Sequence, residues 1–128
     1  MSALPIIEAI LSAAAPVQNI VSGKVFYSTA PQGTVAPYVI IVGTSEDDET
    51  LLAGAARFPE AYVTTVAYAV DYPQAENLGN AIVAALQDQR GTWRGRTATV
   101  SRDRGGSFDY IEVTRQHRRI DNFLVRWR

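Results

Sequence analysis

The sequence predicts an α+β domain: a mainly antiparallel sheet of about four to five strands packed against an N-terminal helix and a central amphipathic helix. Three observations carry this. Leu4, Ile7, Ile10, Leu11 and Ala14 recur at helical spacing near the start of the chain. Residues 61–70 alternate, with Tyr62, Thr64, Val66, Tyr68 and Val70 on one face and the smaller Ala61, Val63, Thr65, Ala67 and Ala69 on the other. Directly after them, Ala75, Leu78, Gly79, Ile82, Val83 and Leu86 return to helical spacing, so a strand runs into a helix.

The elements follow in order. Pro16 ends or restarts the first helix, and a short turn over 17–21 stops at Gly23, a residue suited to a left-handed cap. Val25 to Tyr27 reads as a strand. Pro31, Gly33 and Pro37 then enforce a loop. Tyr38 to Val42 is apolar without alternation, the composition of a strand covered on both faces. Glu46, Asp47, Asp48 and Glu49 form a run of like charge that belongs in a solvated turn or against a partner. The segment 51–56 admits a short helix or an apolar loop. The small face of the 61–70 strand allows a helix or a neighbouring sheet to approach closely, and Asp71 is placed to cap the next helix. Gly91 is expected to end that helix, Arg96 to Arg102 to form a strand, and Gly105-Gly106 to make a turn with positive φ. One or two strands lie between Tyr110 and Trp127, with Phe123, Val125 and Trp127 on one face of the last.

The 128 residues make a single domain spanning 1–128. A hydrophobic content of 47% and a charged content of 20% exclude global disorder. No cysteine is present, so no disulfide framework or thiolate metal site can form. Glu8 interrupts the first apolar stretch, which argues against a signal peptide and a membrane span.

The net charge of −1 hides an asymmetry. In residues 1–89, Lys24 and Arg57 stand against nine acids, a balance of −7. In residues 90–128, ten arginines stand against Asp103, Asp109, Glu112 and Asp121, a balance of +6. Arginine makes planar multi-donor contacts and is favoured at interfaces. Glu46, Asp47, Asp48, Glu49, Arg102, Arg104, Arg115, Arg118 and Arg119 are therefore the candidate interaction residues.

Catalytic and cofactor chemistry find no support. His117 is the single histidine and sits among Arg115, Arg118 and Arg119, which disfavour its protonated form and repel a metal cation. No Gly-x-Ser-x-Gly elbow, phosphate-cradling glycine loop or calcium-loop pattern occurs. Arginines near Trp93, Phe108, Tyr110, Phe123 and Trp127 raise a single-strand nucleic-acid reading. An acidic pI of about 5.8 and the near absence of lysine weigh against it.

The order of these marks resembles the tail completion, or tail terminator, proteins of long-tailed bacteriophages. The marks are the N-terminal helix, the Phe26-Tyr27 strand with its Ala30-Pro31-Gln32-Gly33 loop, and Pro37-Tyr38-Val39 opening the next strand. The Val70-Asp71-Tyr72 junction into Ala75-Glu76-Asn77-Leu78 and the terminal strand Phe123 to Trp127 complete them. The resemblance implies a non-enzymatic virion protein without cofactor, assembled in the host bacterial cytoplasm. It implies a homo-oligomeric ring, commonly a hexamer, that caps the tail tube and joins it to the head connector. The partners so implied are the major tail tube protein, a head completion or connector protein, and DNA only as the passing genome. Another phage neck, head–tail adaptor or minor tail protein is the alternative, and a small nucleic-acid-binding domain is a more distant one.

Overall fold

Helix and strand periodicities resolve into one curled sheet with helices on its inner face. The computed structural model describes residues 3–47, 50–51, 54–55 and 59–128. Their order is α1 (Ala3–Ala13), α2 (Ala15–Val21), β1 (Val25–Tyr27), β2 (Tyr38–Asp47), β3 (Thr50–Leu51), β4 (Gly54–Ala55), β5 (Glu60–Ala69), α3 (Tyr72–Leu86), β6 (Gln89–Trp93), β7 (Arg96–Ile111) and β8 (Gln116–Trp127). Among the described residues, six strands form one sheet in the order β1-β2-β5-β8-β7-β6, and β3 pairs with β4 apart from it. Every pairing is antiparallel except that of β1 with β2. The sheet is thus larger than the four to five strands expected.

The small face of β5 is the inner one. Ala61, Val63, Thr65, Ala67 and Ala69 are all buried, and the missing side-chain bulk lets helices settle on the sheet. Phe123, Val125 and Trp127 of β8 face the same way and join the main core with Val39, Ile41, Leu78, Ile82 and Leu86. Helix α1 buries Ala3, Ile6, Ile7, Ile10 and Leu11, a full i, i+3, i+4, i+7, i+8 stripe. Leu4 and Ala14, assigned to that stripe from sequence, lie only partly buried at its edge. Pro16 stands in the first turn of α2, which packs at 85° to α1. Ser22 (φ 51°) and Gly23 (φ 82°) turn the chain out of it. Among the described residues, no single helix is long and apolar enough to cross a membrane.

A second, smaller core covers the outer face. Ala36, Tyr38 and Ile40 pack with Phe26, Ala30, Val42 and Tyr68, so β2 is covered on both faces as its composition required. Tyr38 stacks on Tyr68 with centroids 4.7 Å apart. The loop after β1 lies over them, tied down by Lys24 Nζ donating to the Val35 carbonyl at 2.8 Å.

Three expectations are corrected. Gly91 does not end the helix: α3 stops at Leu86, the chain turns at Asp88 (φ 57°), and Gly91 lies inside β6. Gly105 and Gly106 form no positive-φ turn; β7 runs through them with register shifts, and the turn beforehand is at Arg94-Gly95. Residues 50–51 and 54–55 pair as short strands rather than forming a helix.

Candidate interaction surface

The arginines of the C-terminal half do not form one patch. Strand alternation sends them to opposite faces of β7 and β8, and each face treats charge differently.

On the inner face, Phe123 is followed toward the N-terminus of β8 by Asp121 and Arg119, both buried, at 1% and 6% exposure. Arg119 Nε donates to Asp121 Oδ2 at 3.1 Å, and its Nη1 donates to the Glu76 carbonyl at 3.2 Å and to Asn80 Oδ1. Arg102 Nη2 reaches the other carboxylate oxygen of Asp121 at 3.1 Å. The guanidinium of Arg119 also lies 5.5 Å from the centre of the Phe108 ring. Two glycines make room for this side chain. A β-carbon at Gly79 would stand 2.1 Å from Arg119 Cδ, and one at Gly106 would stand 2.7 Å from Arg119 Nε. Gly106 is therefore a close-approach residue and not a turn residue. Arg119 holds α3 to the sheet and is not available to an outside partner.

On the outer face, Arg118 is opposite Tyr68 on one side and Asp109 on the other. It donates from Nε to Asp109 Oδ1 at 2.7 Å, and from Nη2 to Asp109 Oδ2. This fork holds the Asp109 carboxyl below the usual carboxylate range, and hydrogen bonds to Asp109 and Tyr68 raise the Arg118 guanidinium. Arg115 sits exposed at φ 54° in the turn between β7 and β8, with no side-chain partner among the described residues. Arg104 is in β7 at the register position opposite Asn122. Glu46 and Asp47 end β2, opposite Ala61 and Glu60. Asp48 and Glu49 lie outside the described residues. The inner-face cluster unites Arg102 and Arg119 around Asp121; Arg118 and Arg115 stand apart from it.

Sequence reasoning missed a second basic group. Arg90, Arg126 and Arg128 line a cleft of about 310 Å³ with Thr97, Ala98, Thr99 and Trp127 at one end of the sheet. Arg126 Nε donates to Glu60 Oε2 at 2.8 Å. The signal was present in the alternation of β8: once Val125 and Trp127 face inward, Arg126 must face out. In the turn after β6, Arg94 Nη2 donates to Glu8 Oε1 at 2.9 Å, and Glu8 is also hydrogen-bonded to Tyr27. Burial and then the Glu8 contact push the Tyr27 phenol up.

No group of three or more histidine, cysteine, aspartate or glutamate residues is placed to hold a metal ion among the described residues. His117 stands opposite Ala69 and Tyr110, its ring 4.7 Å from that of Tyr110.

The described residues thus form a curled sheet over buried helices, with charged side chains both inside the core and on the surface. The fold is that of a chain in the virion of the native gene transfer agent particle: TM-score 0.66 and 19% identity, over 98% of this chain and 96% of that one. Residues 6–121 match the profile of the tail completion protein gp17 family, and the chain belongs to that family. It is a structural component of a phage tail. No curated protein sequence is significantly similar to it.

Proposed function

We propose that the protein closes the tail tube as a homo-oligomeric ring, a hexamer, and presents the surface that receives the head connector. The family match over residues 6–121 carries this reading. The surface supports it. Two chemically different patches of one subunit are what a closed head-to-tail ring needs, and the chain has an acidic strand end at Asp47 and a basic cleft at Arg90, Arg126 and Arg128. The major tail tube protein lies on one side of the ring, the head completion or connector protein on the other, and DNA passes through the centre. Assembly takes place in the host cytoplasm, and the final location is the virion neck. The candidate contacts are Glu46 to Glu49 with Arg104 and Arg115.

A nucleic-acid module is disfavoured by the use of the arginines. Arg102 and Arg119 are held by Asp121, and Arg118 by Asp109, in the same chain, which removes them from a phosphate track.

The test is addition of the purified protein to tails prepared without it, followed by electron microscopy. Rings at one end of tubes of uniform length, and recovery of head joining, are expected. Protein found free of the tails, or a monomer that binds single-stranded DNA, would overturn the reading.

A further inference from the structure

Strand alternation gives β7 and β8 an inner face that runs on past the helix layer. Phe108 and Tyr110 of β7 stand opposite Arg119 and His117 of β8, the positions that continue the side of Phe123 and Asp121. Helix α3 covers this side only as far as its first turn, where Tyr72 meets Phe108 with ring centres 4.8 Å apart. Tyr72, Phe108 and Tyr110 are therefore 47%, 40% and 50% exposed. Two rings on a core-facing side of the sheet, and a third from the helix, stay open to solvent. Contiguous apolar surface of this kind marks a site of association.

Charge defines what this face accepts. The Arg119 guanidinium lies 5.5 Å from the centre of the Phe108 ring and repels a further cation. Glu76, hydrogen-bonded to Tyr72, repels an acid. An uncharged occupant suits the face best. The chain itself holds such a segment, since no charged side chain occurs in residues 25–45. Within it, the loop between β1 and β2 carries Pro31 and Val35 on its surface, Val35 being 70% exposed. The loop is held in shape by the Lys24 contact to the Val35 carbonyl and by Thr34 Oγ1, which donates to the Pro31 carbonyl. A fixed loop loses little freedom on docking.

Loop and rings share one level of the sheet but lie toward opposite borders and on opposite faces. Val35 leads into Tyr38, which is opposite Tyr68. Tyr68 is opposite Arg118, and Arg118 is opposite Asp109, the residue between the two β7 rings. The loop packs on the outer face through Ala30 and Ala36, whereas the rings belong to the inner face. Within one copy, β5 and β8 keep them apart. Copies that overlap at their borders like shingles bring the outer face of one border under the inner face of the next. Rotation about an axis along the strands keeps the two at one level.

We propose that the loop over residues 28–37 of one copy, through Pro31 and Val35, covers the Tyr72–Phe108–Tyr110 face of the next. The proposal rests on the ring reading above and adds an uncharged contact to it. Two different patches of one subunit meet, which is the head-to-tail interface a closed ring requires. The rings receive the loop as aromatic-lined grooves receive proline-containing segments.

The chain contains no cysteine, so introduced thiols report one contact each. Gln32→Cys, in the loop, and Thr114→Cys, in the exposed turn after β7, are made in separate proteins. They are mixed in equal amounts, both free and on tails prepared without the protein, and joined by a short bismaleimide. The expected product is the mixed dimer in clear excess over both homodimers, in a yield that holds as salt rises. Tyr110→Ser in the Thr114→Cys protein and Val35→Ser in the Gln32→Cys protein, each with native circular dichroism, lower that yield about tenfold. A yield that falls as salt rises makes the contact ionic and overturns the proposal. Capped tails with no mixed dimer, or with the Thr114→Cys homodimer in excess, overturn the contact and leave the ring standing. Tails that are not capped overturn the ring and the contact together. A Tyr110→Ser protein that still couples and caps but no longer joins heads assigns the rings to a head-side partner and overturns the proposal.

Discussion

Replacing Gly79 by alanine sets two known effects against each other. Glycine inside a helix costs roughly 0.5–1 kcal/mol relative to alanine, so in an ordinary helix Gly79→Ala stabilises. Here the added β-carbon would stand 2.1 Å from Arg119 Cδ, 2.5 Å from Nε and 2.9 Å from Cζ. Those atoms belong to a side chain only 6% exposed, fixed by Asp121, the Glu76 carbonyl and Asn80. It cannot swing away without surrendering these bonds. Breaking a buried ion pair while leaving one partner in place costs about 3–5 kcal/mol. Subtracting the helix gain leaves a net destabilisation of about 2–4 kcal/mol, a large share of the 5–15 kcal/mol typical of a domain. Urea unfolding followed by circular dichroism measures it as a lower midpoint with an unchanged slope. The control is a double-mutant cycle with Arg119→Ala, in which the same Gly79→Ala change becomes neutral or stabilising. An increase in stability in the otherwise native chain would refute the assignment of Arg119 to this space.

Three further outcomes are expected. Trp127→Ala removes a side chain 3% exposed in the core and costs about 3–5 kcal/mol, and deletion from Asn122 onward abolishes cooperative unfolding, both read by thermal melts. The Asp109 carboxyl titrates below the ordinary value of about 3.9, because the Arg118 fork favours its charged form; its small contribution to stability is therefore present above that value and fades as pH falls through the lower folded one. Carbon-detected NMR titration shows this, and Arg118→Gln moves the midpoint upward. Glu8→Ala, which frees Arg94 and Tyr27, lowers stability by about 1 kcal/mol, measured by urea unfolding, and returns the Tyr27 phenol toward its ordinary value.

Elements with unbroken periodicity were legible in the sequence. The inner stripe of α3, the small face of β5 and the Phe123-Val125-Trp127 face of β8 all lie where alternation and helical spacing put them. Glycine was the point of failure. It signals a positive-φ turn and a close approach equally well, and Gly91 and Gly106 both belong to the second kind, against Trp93 and Arg119. Strand β6 was missed for that reason: its five residues are interrupted by a glycine that reads as a helix stop. Composition did not reveal that Arg102 and Arg119 pair with Asp121 on the inner face. A charge run suggests a solvated face, yet Arg119 and Asp121 stand two residues apart on the face that continues into Phe123, a spacing that hides a buried pair. The basic cleft required knowledge of which strands are neighbours, since Arg90, Thr99 and Arg126 meet only through pairings distant in sequence.

The single carboxylate of Glu8 touches Tyr27 of β1 and Arg94 beside β6, the strands at the two extremes of the sheet. Helix α1 acts as a mandrel around which the sheet is rolled, and Glu8 is the clasp between its borders. An open border of a sheet is a template on which stray chains stick. Here the first and last strands are drawn against the same helix, and β7 beyond Ser101 has a strand partner on one side only, β8. That border is broken by two register shifts and studded with Arg102, Asp103 and Asp109. A broken, charged border of this kind disfavours backbone pairing between copies.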